Sequence, residues 1–176
     1  MATDVITLIT HDHRTVESLF ERLRKREGEQ KALVRELHAL LIAHARAEED
    51  RVYPGIDAHH ELEEHKEAEI LLDALVRAEP GTRAFDETLD KLIESVGHHV
   101  EEEETKLLPE LAKAVGEKGL RELGEAFAER RAEELRALVP QQSKAELYEQ
   151  AKRADIPGRS QMGKEELAEA LRQAKS

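Results

Sequence analysis

Hydrophobic residues recur along this chain at steps of three and four, the spacing that gives an α-helix one buried stripe. The first predicted helix runs from about Asp4 to Arg26, carries Val5, Ile9, Val16, Phe20 and Leu23, and stops at Gly28. The second runs from about Gln30 to Tyr53 on Leu33, Leu37 and Leu41, and Pro54-Gly55 interrupts it. A third, from about Glu61 to Ala78, carries Leu62, Leu72 and Val76 and ends at Pro80-Gly81. The fourth starts near Thr82 and passes through Phe85, Leu89, Leu92 and Val96 to Leu107 and Leu108. An additional helix is predicted over 117–138. No stretch alternates with period two, so the expected class is all-α. Long helices with short connections predict an up-down-up-down four-helix bundle, with an extra helix beyond it.

Each of the four stripes runs into ionisable residues. His13 fills the gap between Ile9 and Val16; His44 and Glu48 follow Leu41; His65 and Glu69 lie between Leu62 and Leu72; His99 and Glu103 lie between Val96 and Leu107. In each His-x-x-x-Glu pair the side chains are one helical turn apart and share a face. Glu17 stands four residues after His13, nearer the edge of its stripe. The pattern repeats internally. "HARAEEDRVYP" (44–54) matches "HVEEEETKLLP" (99–109), and "HRTVESLF" (13–20) matches "HKEAEILL" (65–72). Two helical hairpins related by a pseudo-twofold would bring the four pairs to one level. A single such pair on a charged helix is ordinarily solvated. Four in phase with apolar stripes are different, because buried unpaired carboxylates and imidazoles cost several kcal/mol each. No Lys or Arg occupies that phase, so a metal centre is the expected compensation. So many ligands exceed what one tetrahedral zinc takes and suit two metals. His11, His38, His59, His60 and His98 fall outside this arrangement and are expected at the surface or in supporting positions.

Composition narrows the chemistry. There is no Cys, so disulfides, thiolate metal sites and Cys nucleophiles are excluded. Charged residues make up 38% and aromatics 3%, as in bundles with heavily charged surfaces. The net charge of −12 opposes broad binding to nucleic acid or anionic membrane. No apolar run reaches the ~20 residues of a membrane span, and the N-terminus does not read as a signal peptide. A soluble, cytoplasmic protein is expected.

The segments "DHRTVESLF", "HARAEEDRVYP", "EEHKEAEILLDAL" and "HHVEEEETKLLP" together resemble the hemerythrin-like family, the HHE cation-binding domain, over about residues 3–115. The resemblance implies a four-helix bundle holding a non-heme di-iron centre: two iron ions with bridging carboxylates and an oxo or hydroxo bridge. Carried over by position, the ligands are His13, His44, Glu48, His65, Glu69, His99 and Glu103, with Glu49 and Glu104 outside them. Whether Glu17 adds a further ligand stays open. The oxygen-carrying members have a second His where this chain has Glu69. More carboxylate makes a harder site that favours ferric iron. The resemblance thus points to O2, NO or redox sensing, or iron binding, with peroxide as a further small ligand. The alternative is a di-iron peroxidase or catalase-like enzyme. Ferritin-like bundles use Glu-x-x-His, and zinc proteases use His-Glu-x-x-His; neither motif occurs.

Pro140 and a change of charge predict a boundary between a bundle over 1–139 and a tail over 141–176. The tail carries +1 and the remainder −13. Ser143 and Glu146 read as a capping box. Leu147, Ala151, Ile156, Met162, Leu167 and Leu171 predict two short helices packed across a loop. The stretch "IPGRSQMGKEEL" resembles Rho N-terminal and SAP-like helix-extended-loop-helix modules, which often bind nucleic acid. Lys144, Lys152, Arg153, Arg159 and Lys164 are the candidate contacts. The acidic neighbour disfavours that role, and an interaction or structural element is the favoured expectation.

Overall fold

A computed structural model describes residues 3–56, 58–138 and 144–174. It is all-helical, with no strand among the described residues. The chain divides into two compact units, Met1–Leu138 and Val139–Ser176.

In the first unit the helices are α1 (Val5–Arg24), α2 (Gln30–Ala47), α3 (His59–Arg77), α4 (Arg83–Glu102) and α5 (Leu108–Leu138). Local chemistry sets their ends. The Asp4 side chain accepts from the Thr7 amide at 3.0 Å and opens α1. Thr82 opens α4 in the same way by accepting from the Phe85 amide. Glu29 accepts from the amides of Lys31 and Ala32 at the start of α2. After α2 the chain makes a π-helical turn, Glu48–Val52, and a 3-10 turn, Tyr53–Gly55. A second π-helical turn, Glu103–Leu107, joins α4 to α5. The fourth and fifth predicted helices are therefore not separated by a loop. What divides α5 is Gly116, whose φ of 64° and ψ of 178° suit only glycine.

Helices α1 to α4 gather around a common core, consistent with a bundle. One apolar cluster includes Val16, Leu19, Leu23, Leu37, Leu72, Leu75, Leu89 and Leu92. A second includes Val5, Ile9, Ala47, Tyr53, Leu107, Leu111 and Phe127. The ionisable residues of the four stripes fall between the two clusters along α1, α2 and α4. The predicted stripes need adjustment at three points. Val76 is 48% exposed, and Leu75 is buried in its place. Leu41 and Leu62 are only partly buried, with Leu37 and Leu40 carrying the centre of α2. A repeat of 3.6 lets either the i+3 or the i+4 residue continue a stripe, and here the i+3 residue, Leu75 or Leu40, takes the inner position.

In the second unit, α6 (Lys144–Arg153) and α7 (Lys164–Ala174) flank a 3-10 turn at Arg159–Gln161. Leu147, Ala151, Ile156, Leu167 and Leu171 bury a small core of their own, with Met162 against it. Pro140, proposed as the boundary, and Ser143 of the expected capping box lie outside the described residues.

Candidate metal centre

Each of the four helices α1 to α4 places one imidazole in the layer between the apolar clusters: His13, His44, His65 and His99, all buried. Each ring is fixed through Nδ1 by a carboxylate from another segment. His13 Nδ1 lies 2.8 Å from Glu104 and His44 Nδ1 lies 3.2 Å from Asp12. His65 Nδ1 lies 3.0 Å from Glu49, and His99 Nδ1 lies 3.0 Å from Glu64. A carboxylate can only accept, so the neutral ring carries its proton on Nδ1 and turns the Nε2 lone pair inward. That is the arrangement by which imidazole metal ligands are oriented. The four bonds run between α1 and the turn after α4, α2 and α1, α3 and the turn after α2, and α4 and α3. They form a belt that closes on itself.

Inside the belt stand two fully buried carboxylates, Glu48 and Glu103. Glu48 Oε1 lies 3.0 Å from His44 Nε2, and its Oε2 lies 3.3 Å from His65 Nε2. Glu103 Oε2 lies 3.2 Å from His13 Nε2 and 3.7 Å from His99 Nε2. The Nε2 atoms of His65 and His99 are 3.2 Å apart. The donors fall into two sets: His13, His44, Glu48 and Glu103 in one, and Glu48, His65 and His99 in the other. Glu48 gives one oxygen to each, as a bridging carboxylate would. In the first set His13 Nε2, His44 Nε2, Glu48 Oε1 and Glu103 Oε2 are buried and make no hydrogen bond. Four such atoms facing one another without bonding fit donors that converge on a cation.

The electrostatics agree. Burial disfavours the charged form of His44, but the Glu48 charge and the contacts with Asp12 and Glu48 outweigh it and raise its pKa to about 10. Burial is likewise overcome at His65 by Glu48 and Glu49, and its pKa rises to about 9. Burial would raise Glu48, yet His44 and His65 hold it well below the usual carboxylate range. Without a metal, then, the imidazoles borrow protons to balance the inner carboxylates. The outer carboxylates have their own cations. Arg131 grips Asp12 through two bonds of 2.6 and 2.8 Å, Arg14 reaches Glu104 at 2.6 Å, and Arg46 reaches Glu49 at 2.9 Å.

A family profile described as the hemerythrin HHE cation-binding domain matches residues 4–111, more than half of the chain. The chain belongs to the hemerythrin HHE cation-binding family. Searches of curated proteins and of solved structures returned no match. The hemerythrin match ends before most of α5, yet α5 supports the layer: besides Arg131, it sets the Phe127 ring edge-on to His44 at 5.8 Å.

Of the seven residues that the resemblance to hemerythrin implied as ligands, the structure gathers six. Glu69 is the exception. Its side chain is 40% exposed and pairs with Arg46 at 3.1 Å, outside both donor sets. Glu17 is also exposed and pairs with Arg14. Other contributors have no counterpart in the sequence reading. Asp12 and Glu64 neighbour predicted site residues and hold His44 and His99. Tyr53, also buried, places its hydroxyl 3.2 Å from Glu48, 3.3 Å from Glu103 and 3.5 Å from His65. The flanking carboxylates could have been sought as the Nδ1 partners every imidazole ligand needs. No local signal marks Phe127 or Arg131, whose contacts are far away in sequence.

Proposed function

We propose that the chain is a non-heme di-iron protein of the O2-, NO- or redox-sensing or iron-binding kind, with an up-down-up-down bundle around the centre. His13, His44, Glu48 and Glu103 would hold one ion, and His65 and His99 with Glu48 the other. The observation that carries this reading is Glu48, divided between two donor sets inside a belt of oriented imidazoles. The metal pair would supply redox and Lewis-acid chemistry. The protein's part is to orient the rings, balance charge and exclude water.

A cavity of about 40 Å³ supports a small ligand. It touches His44, His65 and His99 and is otherwise lined mainly by Leu41, Ile42, Ala68, Leu72 and Val96. Its size and mainly apolar walls suit a small uncharged ligand such as O2, NO or hydrogen peroxide. Arg46 and Glu69 also line it, so Glu69 acts here as part of an ion pair beside the ligand space.

The second reading, a peroxidase or catalase-like enzyme, is favoured by Tyr53. Burial and the charges of Glu48 and Glu103 push its pKa upward, so the hydroxyl keeps a proton beside the inner carboxylates. Metal analysis of protein purified without added metal should give close to two irons per chain; one zinc and no iron refutes the di-iron reading. Anaerobic protein mixed with O2, NO or peroxide separates the classes. A stable, reversible absorption band supports binding, and multiple turnover supports the enzyme.

For residues 141–176 the proposal is a Rho N-terminal/SAP-like module serving as an interaction or structural element. Nucleic-acid binding through Lys144, Lys152, Arg153, Arg159 and Lys164 is the less favoured role. A gel shift at low salt decides between them. No described helix is long and apolar enough to cross a membrane, and a cytoplasmic location belongs to the same proposal.

A further inference from the structure

Three of the four carboxylates that hold the imidazoles are each neutralised by an arginine. Glu64, the fourth, has no Lys or Arg partner among the described residues. It is 8% exposed and gives Oε2 to His99. Its other oxygen, Oε1, faces two further histidines, His60 Nε2 at 3.4 Å and His98 Nε2 at 3.7 Å. Both histidines also face Glu102 Oε2, at 3.4 and 3.6 Å. Lys106 occupies the other oxygen of Glu102 and leaves Oε2 to the cluster.

We propose that His60, Glu64, His98 and Glu102 form a second, mononuclear cation site, separate from the buried centre and suited to Zn2+. The four donor atoms all lie within 4.8 Å of one another. Histidine and carboxylate alternate around a ring whose four contacts, 3.4 to 3.7 Å, are longer than ordinary hydrogen bonds. Zinc–ligand bonds of about 2.0–2.2 Å give tetrahedral edges of roughly 3.3–3.6 Å, which these spacings approach. The donor set, two imidazoles and two carboxylates, is one that Zn2+ takes, whereas Mg2+ and Ca2+ prefer oxygen donors throughout.

The local sequence builds this site simply. His60 and Glu64 are one turn apart on α3, His98 and Glu102 one turn apart on α4, and α3 packs on α4. Two carboxylates balance a divalent ion. Bound there, the ion does for Glu64 what Arg131, Arg14 and Arg46 do for the other three. His60 and His98 are each more than 60% exposed, so the ion enters from solvent and truncating them leaves the core intact.

The test uses the metal-depleted full chain, titrated with Zn2+ in a calorimeter and with Co2+ by visible absorption, where tetrahedral coordination gives intense bands. His60→Ala with His98→Ala is introduced into the wild type and into a His44→Ala background. The expected result is one fewer equivalent of Zn2+ in both backgrounds, with the tetrahedral Co2+ contribution lost. The His44→Ala background reports the surface site whether or not the buried centre takes metal. Equal stoichiometry and equal spectra with and without the double substitution overturn the proposal.

Discussion

Filling the buried centre at neutral pH has to expel protons. In the metal-free protein His44 titrates at about 10 and His65 at about 9, because Glu48 faces both rings. A metal binds the lone pair of a neutral imidazole, so both protons leave as the ion enters. At pH 7 the two values lie about three and two units above ambient. At about 1.4 kcal/mol per unit, deprotonation opposes binding by roughly 4 and 3 kcal/mol. Apparent affinity should therefore rise on the order of a hundredfold per pH unit between pH 7 and about 9, about tenfold from there to about 10, and then flatten. Anaerobic calorimetry with Fe2+ in buffers of different ionisation enthalpy counts the protons directly. At least about two should be released per loaded chain at pH 7. A release of less than one, or an affinity independent of pH over this range, would refute the assignment of His44 and His65 as inward-facing donors.

The same shifts govern stability without metal. His44 and His65 are raised above the usual 6.5, so their contribution is complete below that pH and is lost as pH climbs through about 9 to 10. Glu48 is lowered from 4.5, so its contribution is present above that value and disappears in acid. Melting temperatures of the metal-free chain should accordingly peak between pH 4.5 and 6.5 and fall toward pH 10. Asp12→Ala should weaken metal binding about ten- to a hundredfold by freeing His44, whereas His11→Ala, on the exposed side of α1, should leave it unchanged in the same titration. Gly124→Ala would place a Cβ 2.2 Å from the Thr3 carbonyl oxygen. Overpacking of about 3 kcal/mol, less about 1 kcal/mol regained in helix propensity, predicts a net loss near 2 kcal/mol in urea unfolding. A more stable variant would show that α1 and α5 do not approach this closely.

Helical phase was enough to read His13, His44 with Glu48, His65, and His99 with Glu103 as inward-facing, because each continues an apolar stripe whose burial is cheap to recognise. It misplaced Glu69, which has the same one-turn spacing from His65 but finds Arg46 and solvent. The π-helical turns explain a second blind spot. Each begins at an inner carboxylate, and each closes by a bond from the residue five further on, the Tyr53 amide to Glu48 and the Leu108 amide to Glu103. The extra residue held in such a turn shifts everything beyond it relative to a regular wheel. Tyr53 falls off the stripe on paper and onto the site in space. The supporting role of α5 was illegible for a different reason. Asp12 and Arg131 are 119 residues apart, and nothing near either residue announces the other.

The belt of imidazole–carboxylate bonds has a topological consequence. Because it returns to its starting helix, it joins the two hairpins at both of their seams, α2 with α3 and α4 with α1. The backbone between α3 and α4 is then only one of several ties holding its neighbours together. A nick at Pro80-Gly81, in the exposed connection after α3, should leave a noncovalent assembly of the two fragments. Chains cut there, or rejoined in a different covalent order, should still close the same circuit, since every link in it is made by side chains reaching across to a neighbouring helix.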